Sequence, residues 1–190
     1  MNGENLIFAN GLGMIRGARV LFGDVSLAAQ PGEAIVLRGS NGAGKTTLLR
    51  ILAGLTQPAA GDVTRVADVH WLGHRDGLKP HESPVEHLGL WAQAWGGGAV
   101  EPVIERMGLT RPKDVPASLL SAGQRRRTAL GRLLLVERPI WLLDEPFSAL
   151  DTNGRDLLLE LIAQHRASGG AVIAAIHGEA GFEASGEVAL

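Results

Sequence analysis

The chain contains no cysteine. That excludes disulfides, thiol catalysis, Cys-based metal centres and the C-x-x-C-H route to covalent haem attachment. No apolar run approaches the ~20 residues needed to cross a bilayer. Neither sign of charge is in excess: Lys and Arg number 18, Asp and Glu 20, for a net charge of −2. A balance this even argues against nucleic acid as the main partner. The opening Met1-Asn2-Gly3-Glu4-Asn5 lacks the basic and apolar regions of a signal peptide, so a cytoplasmic location is expected. Any attachment to a membrane then has to come through a partner. What is present is an ordinary apolar share, 45% of 190 residues, enough for one compact domain over 1–190.

One stretch organises the rest. Gly39-Ser40-Asn41-Gly42-Ala43-Gly44-Lys45-Thr46, followed by Thr47, fits the phosphate-binding pattern G-x-x-x-x-G-K-[ST]. Ala34–Arg38 before it reads as a short buried strand. Lys45–Ala53 after it reads as a helix, with Gly54 as its left-handed stop and Pro58 beyond. The glycines let the backbone turn its N–H groups inward, and the helix start adds unpaired N–H groups at the same point. A polyphosphate satisfies these donors. Lys45 is expected to reach the β- and γ-phosphates, and the Thr46 hydroxyl to hold Mg²⁺.

Elsewhere the chain alternates. Leu6–Phe8 and Val20–Leu27 read as strands with Gly11-Leu12-Gly13 between them, and Asp62–Val66 and Val69–Leu72 as short strands. From Gly73 to about Leu120 the texture is helical. Ser83-Pro84-Val85-Glu86 is a capping box opening a helix to about Trp95, stopped by Gly96-Gly97-Gly98. Glu101–Met107 is a second short helix, and Ser121 caps a third, reaching about Val136. Ile140–Leu143 and Ala171–Ile176 are continuous apolar runs suited to strands buried on both faces, around a helix from Asp151-Thr152 to Ala167. This alternation implies a mostly parallel sheet covered by helices.

Two further groups carry chemistry. Asp144-Glu145 follows an apolar strand; a carboxylate there suits Mg²⁺, and Glu145 can orient or deprotonate an attacking water. Ser121-Ala122-Gly123-Gln124 sits at a helix start, a second anion-binding position. Arg125, Arg126 and Arg127 crowd the first turn, where cations oppose the helix dipole. Either something negative lies nearby, or this is a capped helix with a solvated basic face.

Gly39–Thr46, Ser121–Gln124, Ile140–Glu145, Ser148-Ala149-Leu150-Asp151 and His177 occur in the order of the ABC transporter ATPase subunits, and the chain resembles that family over nearly its whole length. The resemblance implies an α/β P-loop NTPase fold with a mostly parallel core sheet, an antiparallel N-terminal β subdomain and a helical insertion. Residues 1–72 and 137–190 would be mainly catalytic core, and about 73–136 the helical subdomain with the signature motif. It implies a homodimer holding two ATP molecules with Mg²⁺. Each site would pair the Gly39–Thr47 loop of one copy with Ser121, Gly123 and Gln124 of the other. Thr46 and Asp144 would hold the metal, Glu145 would be the catalytic carboxylate, His177 would contact the γ-phosphate, and Asp151 would couple the sites.

A narrower resemblance rests on Trp71-Leu72-Gly73-His74-Arg75-Asp76-Gly77-Leu78-Lys79-Pro80, on Leu120–Arg127, on Arg19-Val20-Leu21-Phe22 and on the short length. These are similar to the haem-exporter ATPases of cytochrome c maturation. Those work with integral membrane permease subunits and a haem chaperone, peripherally, on the cytoplasmic face of the inner membrane. The alternatives are an ATPase of another ABC exporter or a soluble non-transport ABC ATPase.

The chain departs from the general family pattern at several points. His74 stands where most members carry a Gln contacting Mg²⁺ and the attacking water. Ala122 replaces the first Gly of the signature. There is no tyrosine to stack on adenine, and Arg16 lies near that position. His70, His81, His87 and His165 do not form a metal-ligand spacing. Trp91 and Trp95, one helical turn apart, either face a membrane partner or pack inside.

Overall fold

The computed structural model describes residues 5–190; Met1–Glu4, most of the N-terminal stretch that lacks signal-peptide character, lie outside the described residues. The chain divides into two units. The first holds residues up to His74, Arg138–Pro146 and Leu161–Leu190; the second holds Arg75–Glu137 and Phe147–Glu160.

The first unit contains two sheets. β1 (Ile7–Arg16) pairs antiparallel with β2 (Arg19–Ala29) on one side. On its other side lies β4 (Ala60–Arg65). β3 (Ala34–Arg38) leads into α1 (Lys45–Leu52). β5 (Val69–Leu72), β6 (Ile140–Asp144), β7 (Ala171–Ala175) and β8 (Gly186–Ala189) join β3 in a second sheet, ordered β5-β6-β7-β3-β8. Every pairing in it is parallel. All residues of β6 and β7 are buried, which accounts for the apolar runs Ile140–Leu143 and Ala171–Ala175: both faces of these strands are covered. The apolar side of α1 (Leu48, Leu49, Ile51, Leu52) packs with Ile35, Leu37, Ile140, Leu142 and Ile173 and with Ile7, Leu12 and Phe22 of the antiparallel sheet.

One expected break is absent. Gly11-Leu12-Gly13 does not separate two strands but lies within β1, where the register shifts between Ala9 and Leu12 and again before Met14. Leu12 is fully buried and holds the strand to the core, while Gly11 takes φ 59° and donates its N–H to Ser26 Oγ. A bulge absorbs the glycines, and the reversal comes later, at Gly17.

The second unit is helical: α2 (Pro84–Trp95), α3 (Val100–Arg106), α4 (Ala122–Gly131) and the first part of α5 (Thr152–Ala167). α2 has the capping box read from Ser83 and Glu86, with Pro84 at its first position and Gly96 left-handed at its end. α4 is shorter than expected. It ends at Gly131 and tightens into a 3-10 turn, Arg132–Leu134, instead of continuing to Val136. Gly131 is a weak helix former kept for packing: a Cβ there would stand 3.2 Å from Leu88 and Val103. Trp91 and Trp95 are half-buried against each other, centroids 4.6 Å apart, with the Arg132 guanidinium 5.2 Å over Trp91. Leu90 beside them is exposed. No helix among the described residues is long and apolar enough to cross a membrane.

Buried Glu82 lies ahead of α2 and meets Lys79 at 2.8 Å and buried His87 at 3.3 Å. Hydrogen bonding to Lys79, and less so to His87, draws its carboxyl down to about 2 against the opposing effect of burial. The folded value lies below the unfolded one, so this stabilisation is complete above the ordinary carboxylate range. It is lost as pH falls from about 4.3 toward 2. Glu82→Gln is expected to lower the urea midpoint at pH 7 and to flatten the midpoint's fall between pH 5 and pH 2 to about the slope of the remaining carboxylates. An unchanged acid slope in that variant rules the network out as a source of acid sensitivity.

Candidate active site

The loop between β3 and α1 needs its glycines for conformation and for room. Gly39, Gly42 and Gly44 have φ of 148°, 81° and 112°. A Cβ on Gly44 would stand 2.8 Å from the Phe22 ring, so β2 lies directly behind the loop. Gly44 caps α1 with no side-chain bond, and α1 has no acidic residue in its first turn. The helix start is thus kept for N–H donors and positive potential. Ser40 and Asn41 are exposed, Ala43 donates its N–H to Ser40 O, and Thr47 lies in the first turn of α1. Lys45 is buried, and its Nζ donates to the carbonyls of Gly39 (2.6 Å) and Ser40 (3.1 Å). Its ammonium therefore sits inside the loop that its own backbone forms.

Sheet order assembles the rest. β6 lies between β5 and β7, so residues leaving the carboxyl ends of these strands meet, as at the ligand-binding edge of open α/β sheets. Asp144, the last residue of β6, is 2% exposed, and its Oδ2 accepts a hydrogen bond of 2.8 Å from Thr46 Oγ1. Glu145 follows with φ 46°, its N–H donating to Ala175 O. Its Oε2 lies 3.1 Å from His74 Nδ1, and its Oε1 3.3 Å from His177 Nε2. Thus His74 after β5 and His177 after β7 flank one carboxylate. The two pairings make the left-handed backbone at Glu145 intelligible, since a non-glycine residue accepts that conformation only where its surroundings over-determine it.

Thr46 and Asp144 place a hydroxyl and a carboxylate oxygen together beside a phosphate loop, the hard-oxygen donor set that Mg²⁺ takes. Among the described residues no group of three His, Asp or Glu side chains is arranged to hold a metal by itself. Of the other histidines, His70 and His87 are buried and His81 is exposed. His165 stacks on Trp141 with centroids 4.0 Å apart.

In the second unit Ser121 and Gln124 form a reciprocal capping box at the start of α4: Ser121 Oγ accepts from Gln124 N, and Gln124 Oε1 accepts from Ser121 N. Ser121 and Ala122 are exposed, and Gly123 is half-buried. The arginines that follow do not form a solvated basic face. Arg125 donates to the Leu120 carbonyl, Arg126 is fully buried against Asp76 at 3.2 Å, and Arg127 reaches Asp151 at 2.5 Å. Asp151 also caps α5, accepting from Gly154 N at 2.9 Å. Each cation that opposes the dipole of α4 is answered by an oxygen, two of them carboxylates from distant parts of the chain. The Arg127–Asp151 contact and the Phe22 wall behind Gly44 had no local signature in the sequence.

Comparison with known proteins identifies the family. A family model described as ABC transporter matches residues 22–148. The cytochrome c biogenesis ATP-binding export protein CcmA of Hyphomonas neptunium is 57% identical over 186 residues, covering 97% of this chain and 96% of its own. The protein of that name from Rhodopseudomonas palustris is 48% identical over 183 residues, covering 90% and 92%. A solved ATP-binding subunit of an ABC transporter superposes with a TM-score of 0.79 at 27% identity, over 90% of this chain and 79% of the other. With its phosphate loop, its Asp144-Glu145 strand end and these relatives, the chain belongs to the ABC transporter family, among the ATP-binding subunits.

Proposed function

We propose that this ATPase subunit serves cytochrome c maturation, where its ATP hydrolysis powers haem export or the release of a haem-loaded chaperone from a membrane complex. The observation that supports this most is near full-length similarity to proteins named for cytochrome c biogenesis. It works as a homodimer beside integral membrane permease subunits, peripherally, on the cytoplasmic face of the inner membrane. Each ATP lies between the Gly39–Thr47 loop of one copy and Ser121, Gly123 and Gln124 of the other.

The roles follow from chemistry already described. The loop amides and Lys45 bind the phosphates, Lys45 exchanging its carbonyl partners for phosphate oxygens. Thr46 and Asp144 would hold Mg²⁺, which would supply charge neutralisation to the triphosphate. Glu145 orients the attacking water and accepts its proton. His74 and His177 hold the Glu145 carboxylate in place from either side, and His177 contacts the γ-phosphate. His74 thereby stands where most members of the family carry a neutral amide. Ser121 and the first N–H groups of α4 face the partner's γ-phosphate, and Asp151 links the two sites.

Affinity purification of the tagged chain from membranes tests the assignment. Integral membrane proteins and haem are expected to follow it, and phosphate release is expected from the purified complex. ATP turnover without haem or any integral partner would leave the ATPase standing and remove the maturation role.

A further inference from the structure

Two segments placed in the ATP site by that reading, the start of α4 and the Ser148–Asp151 turn, touch within the second unit at two independent points. A Cβ on Gly123 would stand 3.2 Å from the Ala149 carbonyl oxygen, so the first turn of α4 lies against that turn as closely as a glycine permits. One helical turn further, Arg127 reaches across to Asp151, and Asp151 spends the same oxygen on the N–H of Gly154. Gly154 is a helical residue with no left-handed backbone to excuse it, and alanine is the better helix former. Its reason is room: a Cβ there would stand 2.9 Å from Asp151 Oδ1 and 3.3 Å from Arg127 Nε. Ala149, whose carbonyl makes the first of these contacts, has φ 62°, a conformation that needs outside support.

We infer that Arg127 is a positioning residue for ATP hydrolysis, its ion pair with Asp151 locking the start of α4 to the Ser148–Asp151 turn so that both arrive at the nucleotide together. Arg127 touches no phosphate in this role. It acts by fixing where Ser121, Gly123 and the turn stand relative to one another. The Gly154 N–H and then the Arg127 guanidinium hold the Asp151 carboxyl below the usual range, so the pair stays charged across the working pH of the enzyme. The inference rests on the ATPase reading and adds an intrasubunit link that the reading does not contain.

The test is a double-mutant cycle on the full chain purified with its membrane partners, following phosphate release against ATP concentration. Arg127→Gln is expected to lower kcat about tenfold or more while KM and the Kd for ATP stay within about threefold, because the lost interaction orders the reacting state rather than binding nucleotide. Arg127→Lys, which keeps the charge, is expected to recover kcat to within about threefold of wild type. Adding Asp151→Asn to Arg127→Gln is expected to cost nothing beyond the slower single variant, since residues acting as one unit are not additive. Gly154→Ala leaves both charges in place but crowds the pair. It is expected to slow kcat while keeping or raising the melting temperature, so the inference is tested even if Arg127→Gln folds poorly. Multiplicative losses in the cycle, or a fall in ATP affinity that matches the fall in kcat, overturn the inference and leave the ATPase reading intact. A wild-type complex without ATP turnover overturns the reading and this inference with it.

Discussion

The Glu145→Gln variant is expected to bind ATP as tightly as wild type, to release phosphate at least about a hundredfold more slowly, and to accumulate as an ATP-bound dimer. The amide is nearly the same size as the carboxylate and keeps one oxygen for His74 or His177, so the strand end should hold its shape. What it loses is the capacity to take a proton. Phosphate contacts from the loop and Lys45 are untouched, so binding and hydrolysis separate. Equilibrium binding of a fluorescent ATP analogue, single-turnover phosphate release and light scattering measure the three parts. Turnover at the wild-type rate would assign the proton transfer to another group. In that event His74 and His177 are the alternative bases at hand, their ring nitrogens 3.1 and 3.3 Å from the same carboxylate.

What the sequence made legible is local. The phosphate loop, the Ser83–Glu86 capping box, the Ser121 cap and the Gly96 stop each depend on residues within a few positions of one another, and each stands where the pattern put it. The parallel sheet followed from apolar runs alternating with helices. Strand order did not, because β6 and β7 read alike. Without that order, nothing in the chain says that His74, Glu145 and His177, separated by more than thirty residues at each step, share one carboxylate. The bulge in β1 was hidden for a related reason. Gly11 and Gly13 are turn residues by composition, and only the burial of Leu12 between them keeps the strand running. The run Arg125-Arg126-Arg127 looks uniform as text. Helical geometry sends the three side chains in different directions, to a carbonyl, to buried Asp76 and to Asp151.

Arg126 is where a single substitution should cost the most stability. It is 1% exposed, one of the largest fully buried side chains, and its charge is met by Asp76, whose side chain is 25% exposed. Truncation by Arg126→Ala removes a long packed stem and leaves Asp76 without its cation. The two effects together are expected to cost about 3–5 kcal/mol, a large part of the roughly 5–15 kcal/mol that holds a domain folded. Arg126→Met separates packing from charge. It refills most of the volume, and Asp76 is open enough to take up water instead. It also relieves Arg132, whose guanidinium is held down to about 10 by burial and then by the charge of Arg126. Burying a cation carries a desolvation cost that an apolar side chain of similar size avoids, so Arg126→Met is expected to lie within about 1–2 kcal/mol of wild type. Urea unfolding at pH 7 compares the two variants directly. If methionine costs as much as alanine, the charge itself holds Asp76 and the start of α4 in register, and volume counts for little. If methionine is nearly neutral, the buried arginine is a packed stem whose charge is tolerated because Asp76 answers it.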